Sequence, residues 1–155
     1  MTHKLALPDL AATQMFARRL APLLQAGDVL LLQGDLGVGK TAFARFLLQA
    51  LGVRGEVPSP TFTLVQSYET SRFAVSHFDL YRLKTPEEIE EIGFDEACGD
   101  GLVLVEWPEK AARYMPSSAL TLSFSLGEGA GRVVQWTPSP VWAARLTEGL
   151  DANGG

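Results

Sequence analysis

Eight residues constrain this chain more than any others: Gly34-Asp35-Leu36-Gly37-Val38-Gly39-Lys40-Thr41, which match the pattern G-x-x-x-x-G-K-[ST]. The pattern also occurs in ordinary glycine-rich turns, so its flanks decide. Val29–Gln33 before it is a short apolar run without alternation, as expected of a central strand covered on both faces. In residues 40–51 after it, Phe43, Phe46, Leu47, Ala50 and Leu51 fall on one helical face, and Gly52 stands where a C-terminal cap belongs. Strand, glycine loop and helix is the order that a phosphate-binding loop requires. The glycines let the backbone curl so that N–H groups point at phosphate oxygens, and the positive end of the helix favours the same anion. In such a loop Lys40 reaches the β- and γ-phosphates and Thr41 offers a hydroxyl to Mg²⁺. A GTPase of the Ras type would need an Asn-Lys-x-Asp segment, but the sole asparagine is Asn153, in the tail. Elimination therefore favours ATP.

The remaining pattern predicts one α/β domain over residues 1–150. It is P-loop NTPase-like, with a mainly parallel central sheet flanked by helices and an antiparallel hairpin near the C-terminus. Residues 9–26 read as a helix capped by Asp9, kinked or shortened by Pro22 and ended by Gly27. Thr63–Glu69 and Phe73–Phe78 read as two strands around a turn. Thr85-Pro86-Glu87-Glu88 carries a capping box that opens a short acidic helix to about Ile92. Leu102–Val105 is a second unalternated strand, ending in Glu106-Trp107. Leu120, Leu122, Phe124 and Leu126 alternate with polar residues, and Arg132–Thr137 returns as their hairpin partner. Ser139-Pro140 opens a last helix to about Leu150, and the tail Asp151–Gly155 is expected to be disordered.

Composition narrows the function classes. Of the 155 residues, 46% are hydrophobic and 20% charged, enough for a real core, and the net charge of −5 argues against unaided binding of RNA or DNA. Cys98 is the only cysteine, so neither an internal disulfide nor a cysteine zinc cluster can form, and a small buried or half-buried side chain is expected there. No apolar run approaches a membrane span, and Pro8, Asp9 and Gln14 interrupt any signal-peptide core. A cytoplasmic protein that does not engage membrane is the expectation.

Hydrolysis needs a metal-side acid and a group that positions water. Asp79, in His77-Phe78-Asp79-Leu80-Tyr81-Arg82, and Glu106 both end apolar strands, where sites in parallel α/β sheets gather. An acid at such a place also serves as a helix cap or a surface residue, so neither is decisive alone. Four segments in order carry a resemblance. They are Gly34–Thr41, then Ser59-Pro60-Thr61-Phe62-Thr63-Leu64, then His77-Phe78-Asp79-Leu80-Tyr81-Arg82-Leu83, then Val105-Glu106-Trp107-Pro108-Glu109-Lys110. With these the chain resembles the TsaE (YjeE) family, the ATPases of bacterial tRNA threonylcarbamoyladenosine biosynthesis, from about Pro8 to Thr137. The resemblance implies Thr41 and Glu106 as Mg²⁺ ligands, and Lys40, Asp79 and Glu106 as the catalytic set. It implies Arg132 near the nucleotide, and Ser59, Thr61 and Thr63 in a loop that senses the γ-phosphate. Tyr81, Arg82 and Trp107 are the further candidates for switch or partner contacts. His77 reads either as a proton carrier or as a structural group beside Asp79. The acidic set from Glu87 to Glu96 reads as a solvated face.

The resemblance further implies an ATPase that acts with a TsaB–TsaD-like complex and meets tRNA only through those partners. A small-molecule or nucleotide kinase is the alternative that the loop allows, although the scattered arginines outline no lid. A nucleotide-binding module without chemistry is the third reading, and Asp79 and Glu106 speak against it.

Overall fold

A computed structural model of the chain describes residues 2–35, 37–55, 64–147 and 150. In chain order the elements are β1 (His3–Leu7), α1 (Leu10–Leu20), β2 (Val29–Gln33), α2 (Lys40–Ala50), β3 (Val65–Glu69) and β4 (Ala74–Asp79). They continue with α3 (Glu88–Glu91), α4 (Phe94–Asp100), β5 (Gly101–Glu106), β6 (Leu120–Leu126), β7 (Arg132–Trp136) and α5 (Pro140–Leu146). The expectations for Ser59–Thr63 and for the tail fall outside the described residues.

One seven-stranded sheet runs in the order β1-β7-β6-β2-β5-β4-β3. The four inner strands β6, β2, β5 and β4 are parallel, and antiparallel partners close both edges. The predicted C-terminal hairpin is β6–β7, with Ser123 opposite Gln135 and Leu126 opposite Arg132. Side chains alternate across each inner strand. Leu30, Leu32, Leu102 and Leu104 join Phe16, Leu20, Phe43 and Leu47 in one core, beneath α1 and α2. Val29, Leu31, Val103 and Val105 join Phe78, Ile89 and Phe94 in the other, beneath α3 and α4. Burial of both faces explains why β2 and β5 read as unbroken apolar runs.

The chain ends of the helices follow their local chemistry. Asp9 caps α1 by accepting the Ala12 N–H at 2.8 Å. Pro22 falls in a single 3-10 turn, Ala21–Leu23, that finishes the helix. Gly52, at φ +105, closes α2 with Val53 N–H on the Leu48 carbonyl and Gly52 N–H on that of Gln49, both at 3.0 Å. The Glu88 carboxylate reaches back to the N–H groups of Lys84 and Thr85 at 3.0 and 2.9 Å, the expected half of a capping box. Three elements go beyond the pattern reading: the edge strand β1, which pairs with β7, the short helix α4, and the 3-10 helix Pro108–Tyr114. Among the described residues no helix is long and apolar enough to cross a membrane.

Two glycines around α4 behave oppositely. A Cβ on Gly101 would sit 2.1 Å from the Ala74 carbonyl oxygen across the β4–β5 pairing, whereas one on Gly99 meets nothing within 4 Å. Gly101→Ala is expected to lower stability by about 3 kcal/mol, and Gly99→Ala, inside the helix, to raise it by about 0.5 kcal/mol. Urea unfolding midpoints of the two variants check both signs.

Candidate functional site

The parallel register of β2, β5 and β4 brings the chemistry together. Leu32 pairs with Glu106, and Glu106 pairs with Asp79, so the C-terminal ends of three adjacent strands share one level. The loop after β2 feeds α2 directly above that level. A cavity of about 530 Å³ opens there, walled by Gly37, Gly39, Lys40, Thr41, Asp79, Glu106, Trp107 and Arg132 among others. A smaller cavity of about 220 Å³ between β1 and α1 holds none of these groups.

Charged side chains rarely lie out of water unless they are paired. Here Lys40 and Asp79 are each 4% exposed, and Glu106 and His77 each 1%. The Glu106 carboxylate is met on both oxygens. The Thr41 hydroxyl donates to Oε1 at 2.9 Å, and His77 Nε2 lies 2.7 Å from Oε2. Asp79 accepts the Tyr81 N–H at 3.0 Å, which fixes the turn that follows β4. The Lys40 ammonium donates to the Gly34 carbonyl at 2.5 Å and lies 3.6 Å from the centre of the Trp107 ring. Burial pulls the Lys40 ammonium below the ordinary lysine range, while the carboxylates of Glu106, Glu109, Asp79 and Asp35 push it back up.

The loop itself is shaped by glycine. Gly34, Gly37 and Gly39 all have positive φ, at +141°, +80° and +100°. At Gly34 a Cβ would also fall 2.5 Å from the Phe124 carbonyl oxygen, so no other residue fits that position. Asp35 is exposed, whereas the Val38 side chain turns away into the core under α1 and α2. What Val38 can offer an anion is therefore its backbone. Leu36 lies outside the described residues, as do Ser59, Thr61 and Thr63. Arg132, from the start of β7, donates to the Gly37 carbonyl at 3.0 Å and to those of Ala130 and Gly131.

Trp107 sits in the left-handed region, at φ +59°, a conformation that disfavours side chains. It turns the chain sharply at the end of β5 and lays the indole over Lys40, with the Tyr81 ring 4.9 Å away. Tyr81 and Arg82 are exposed at the same rim.

Thr41 and Glu106 form an all-oxygen pair. Among the described residues no cluster of three or more His, Cys, Asp or Glu side chains is placed to hold a metal by itself. One hydroxyl and one carboxylate beside a phosphate loop fit a hard cation that completes its shell with phosphate oxygens and water, as Mg²⁺ does.

Two features lay beyond the pattern reading. His77 bonds Glu106 rather than standing beside Asp79 alone, a partnership across 29 residues that no spacing reveals. Leu10, at the start of α1, is 66% exposed and lies at the cavity rim.

The family model described as Threonylcarbamoyl adenosine biosynthesis protein TsaE matches residues 7–134. Relatives that carry the name tRNA threonylcarbamoyladenosine biosynthesis protein TsaE include the following three. The protein of Rickettsia felis is 50% identical over 98 residues, covering 63% of this chain and 57% of its own length. That of Rickettsia bellii is 43% identical over 115 residues, covering 74% and 80%. That of Haemophilus influenzae is 35% identical over 133 residues, covering 82% and 84%. The match thus spans little more than half of the Rickettsia felis protein. The crystal structure of Bacillus subtilis YdiB is similar with a TM-score of 0.83 at 27% identity, covering 100% of this chain and 97% of that one.

Arg132→Ala removes the bond that holds the Gly37 carbonyl from a distant strand. Amide hydrogen exchange at Gly37 to Gly39 is expected to rise about fivefold, the worth of one net hydrogen bond of about 1 kcal/mol. Global unfolding is expected to move by less than about 0.5 kcal/mol. Exchange followed by mass spectrometry, in protein without nucleotide, checks the difference.

Proposed function

The chain belongs to the TsaE family, and we propose from that premise that it is a Mg²⁺-dependent ATPase required for threonylcarbamoyladenosine modification of tRNA. In this reading it works in the cytoplasm with a TsaB–TsaD-like complex, does not attach the modification itself, and meets tRNA only through those partners. The net charge of −5 agrees with leaving the nucleic acid to a partner.

One observation carries the reading: the 2.9 Å bond between Thr41 at the start of α2 and Glu106 at the end of β5. It joins the phosphate loop to a strand-end carboxylate, the two-part arrangement that a nucleotide with its cation requires. When bound, Mg²⁺ would supply neutralisation of phosphate charge, held by the hydroxyl of Thr41 and the carboxylate of Glu106. The residues do the rest. Amides of Gly37 to Thr41 receive the phosphates at the helix start, and Lys40 exchanges the Gly34 carbonyl and the indole for phosphate oxygens. Thr41 and Glu106 hold the cation. Asp79 orients a water for attack on the γ-phosphorus. The bond to the β–γ bridging oxygen breaks, ADP leaves, and the water's proton passes to the phosphate released. Because little covalent work falls to the protein, positioning and charge placement dominate.

Lys40→Ala is expected to weaken Mg-ATP binding at least about tenfold, the loss of one charge-assisted bond or more. Asp79→Ala is expected to keep binding within a fewfold and to slow phosphate release by about a hundredfold. The decisive assay mixes the protein with a TsaB–TsaD pair, ATP, a threonylcarbamoyl donor and unmodified tRNA. Repeated modification should depend on this chain and on Lys40. ADP formation that instead requires an added metabolite would identify a kinase. Undiminished turnover with Lys40→Ala would overturn the reading.

A further inference from the structure

His77 is buried, polar and absent from the wall of the nucleotide cavity. On parallel strands β4 and β5 it pairs with Leu104, two residues before Glu106. Alternation puts His77, Asp79, Leu104 and Glu106 on the same face of the sheet, so the imidazole reaches diagonally forward to the carboxylate. Its Nε2 lies 2.7 Å from Glu106 Oε2. Its Nδ1 is buried and has no hydrogen-bond partner.

That orphaned nitrogen fixes the chemistry of the pair. An ionised carboxylate only accepts. A proton on Nδ1 would bury a donor with nothing to receive it, and would set the Nε2 lone pair against those of Oε2. The proton therefore sits on Nε2 and is donated to Oε2. The two carboxylate oxygens then have separate duties. Oε2 meets the imidazole, and Oε1 meets the Thr41 hydroxyl at 2.9 Å, beside the cavity that Thr41 and Glu106 help to wall. Rotating the carboxylate would break the bond to His77.

We infer that His77 is a positioning residue that fixes the Glu106 carboxylate so that Oε1 is presented beside Thr41 to the nucleotide-bound divalent cation. This rests on the reading of Thr41 and Glu106 as the cation's protein ligands. His77 touches neither nucleotide nor attacking water, so it acts only through Glu106.

The test compares His77→Gln, whose side-chain amide can place an N–H near the Nε2 position, with His77→Leu, which removes the donor. A fluorescent ATP analogue reports nucleotide binding, first in EDTA and then across a Mg²⁺ titration. In EDTA all three proteins should bind alike within about twofold. His77→Leu should need about 10 to 100 times more Mg²⁺ for half-saturation, the usual cost of removing such a support. His77→Gln should stay near the wild type. A wild-type Mg²⁺ requirement in His77→Leu, equal impairment of both variants, or the same loss in EDTA as in Mg²⁺ would overturn the inference. If binding to the wild type itself ignores Mg²⁺, the proposed site falls, and the inference with it. Should the variants not fold, nitrogen NMR of the wild-type imidazole still decides. Of the chain's two histidines, His77 should show the Nε2–H tautomer, and an Nδ1–H signal would overturn the inference.

Discussion

A carboxylate taken out of water must be matched on its oxygens or it will not stay charged. At Glu106 that requirement ties three distant segments together. The start of α2 supplies a hydroxyl, β4 supplies an imidazole, and β5 supplies the acid itself. Both partners can reach only because β5 lies between β2 and β4 with parallel register on each side. Had β5 been an edge strand, one oxygen would have had to find water instead. The strand order and the buried acid are thus one constraint seen at two scales.

The same economy governs the cations. A lysine 4% exposed needs partners. Lys40 finds them in the Gly34 carbonyl and the face of Trp107. Arg132 uses the Gly37 carbonyl in the same way. These contacts tie the glycine loop to β7 and to the turn that follows β5. The left-handed backbone at Trp107 belongs to this arrangement. Strain of that kind costs about 1 to 3 kcal/mol and persists where surrounding contacts dictate it. Here those contacts are the Lys40 ammonium and the Tyr81 ring.

How much of this was legible in the chain depends on range. Features set within one or two turns were readable: β2 from Val29–Gln33, α2 from its 3.6-residue period, the Asp9 cap and the Gly52 stop. The strand β1 escaped because His-Lys-Leu-Ala-Leu buries only Leu7 fully and takes its pairing from β7, more than a hundred residues away. The helix α4 escaped because seven residues containing Gly99 carry little helical pattern, and its left-handed start at Gly93 reads as a loop. At the site, residue types marked Lys40, Thr41, Asp79 and Glu106 as candidates. Their mutual placement was not legible, because nothing local says that β5 comes between β2 and β4. Hence residue types alone leave His77 as either a proton carrier or a structural group beside Asp79, whereas the diagonal across two parallel strands gives it to Glu106.

Charge explains why such a site would demand its nucleotide as a cation complex. Asp79 and Glu106 stand side by side, and Asp35 and Glu109 are near enough to act on Lys40. Two like charges at 4 Å repel by about 4 kcal/mol at an effective dielectric constant of 20. A bare triphosphate would bring several negative charges up to this pair of acids, more than Lys40 can offset. A divalent ion between phosphate and Glu106, as proposed, would reverse the sign of that contact. On the proposed reading, the carboxylate that would oppose free nucleotide would favour the complexed form, and the selectivity would come from a group that meets the nucleotide only through the ion.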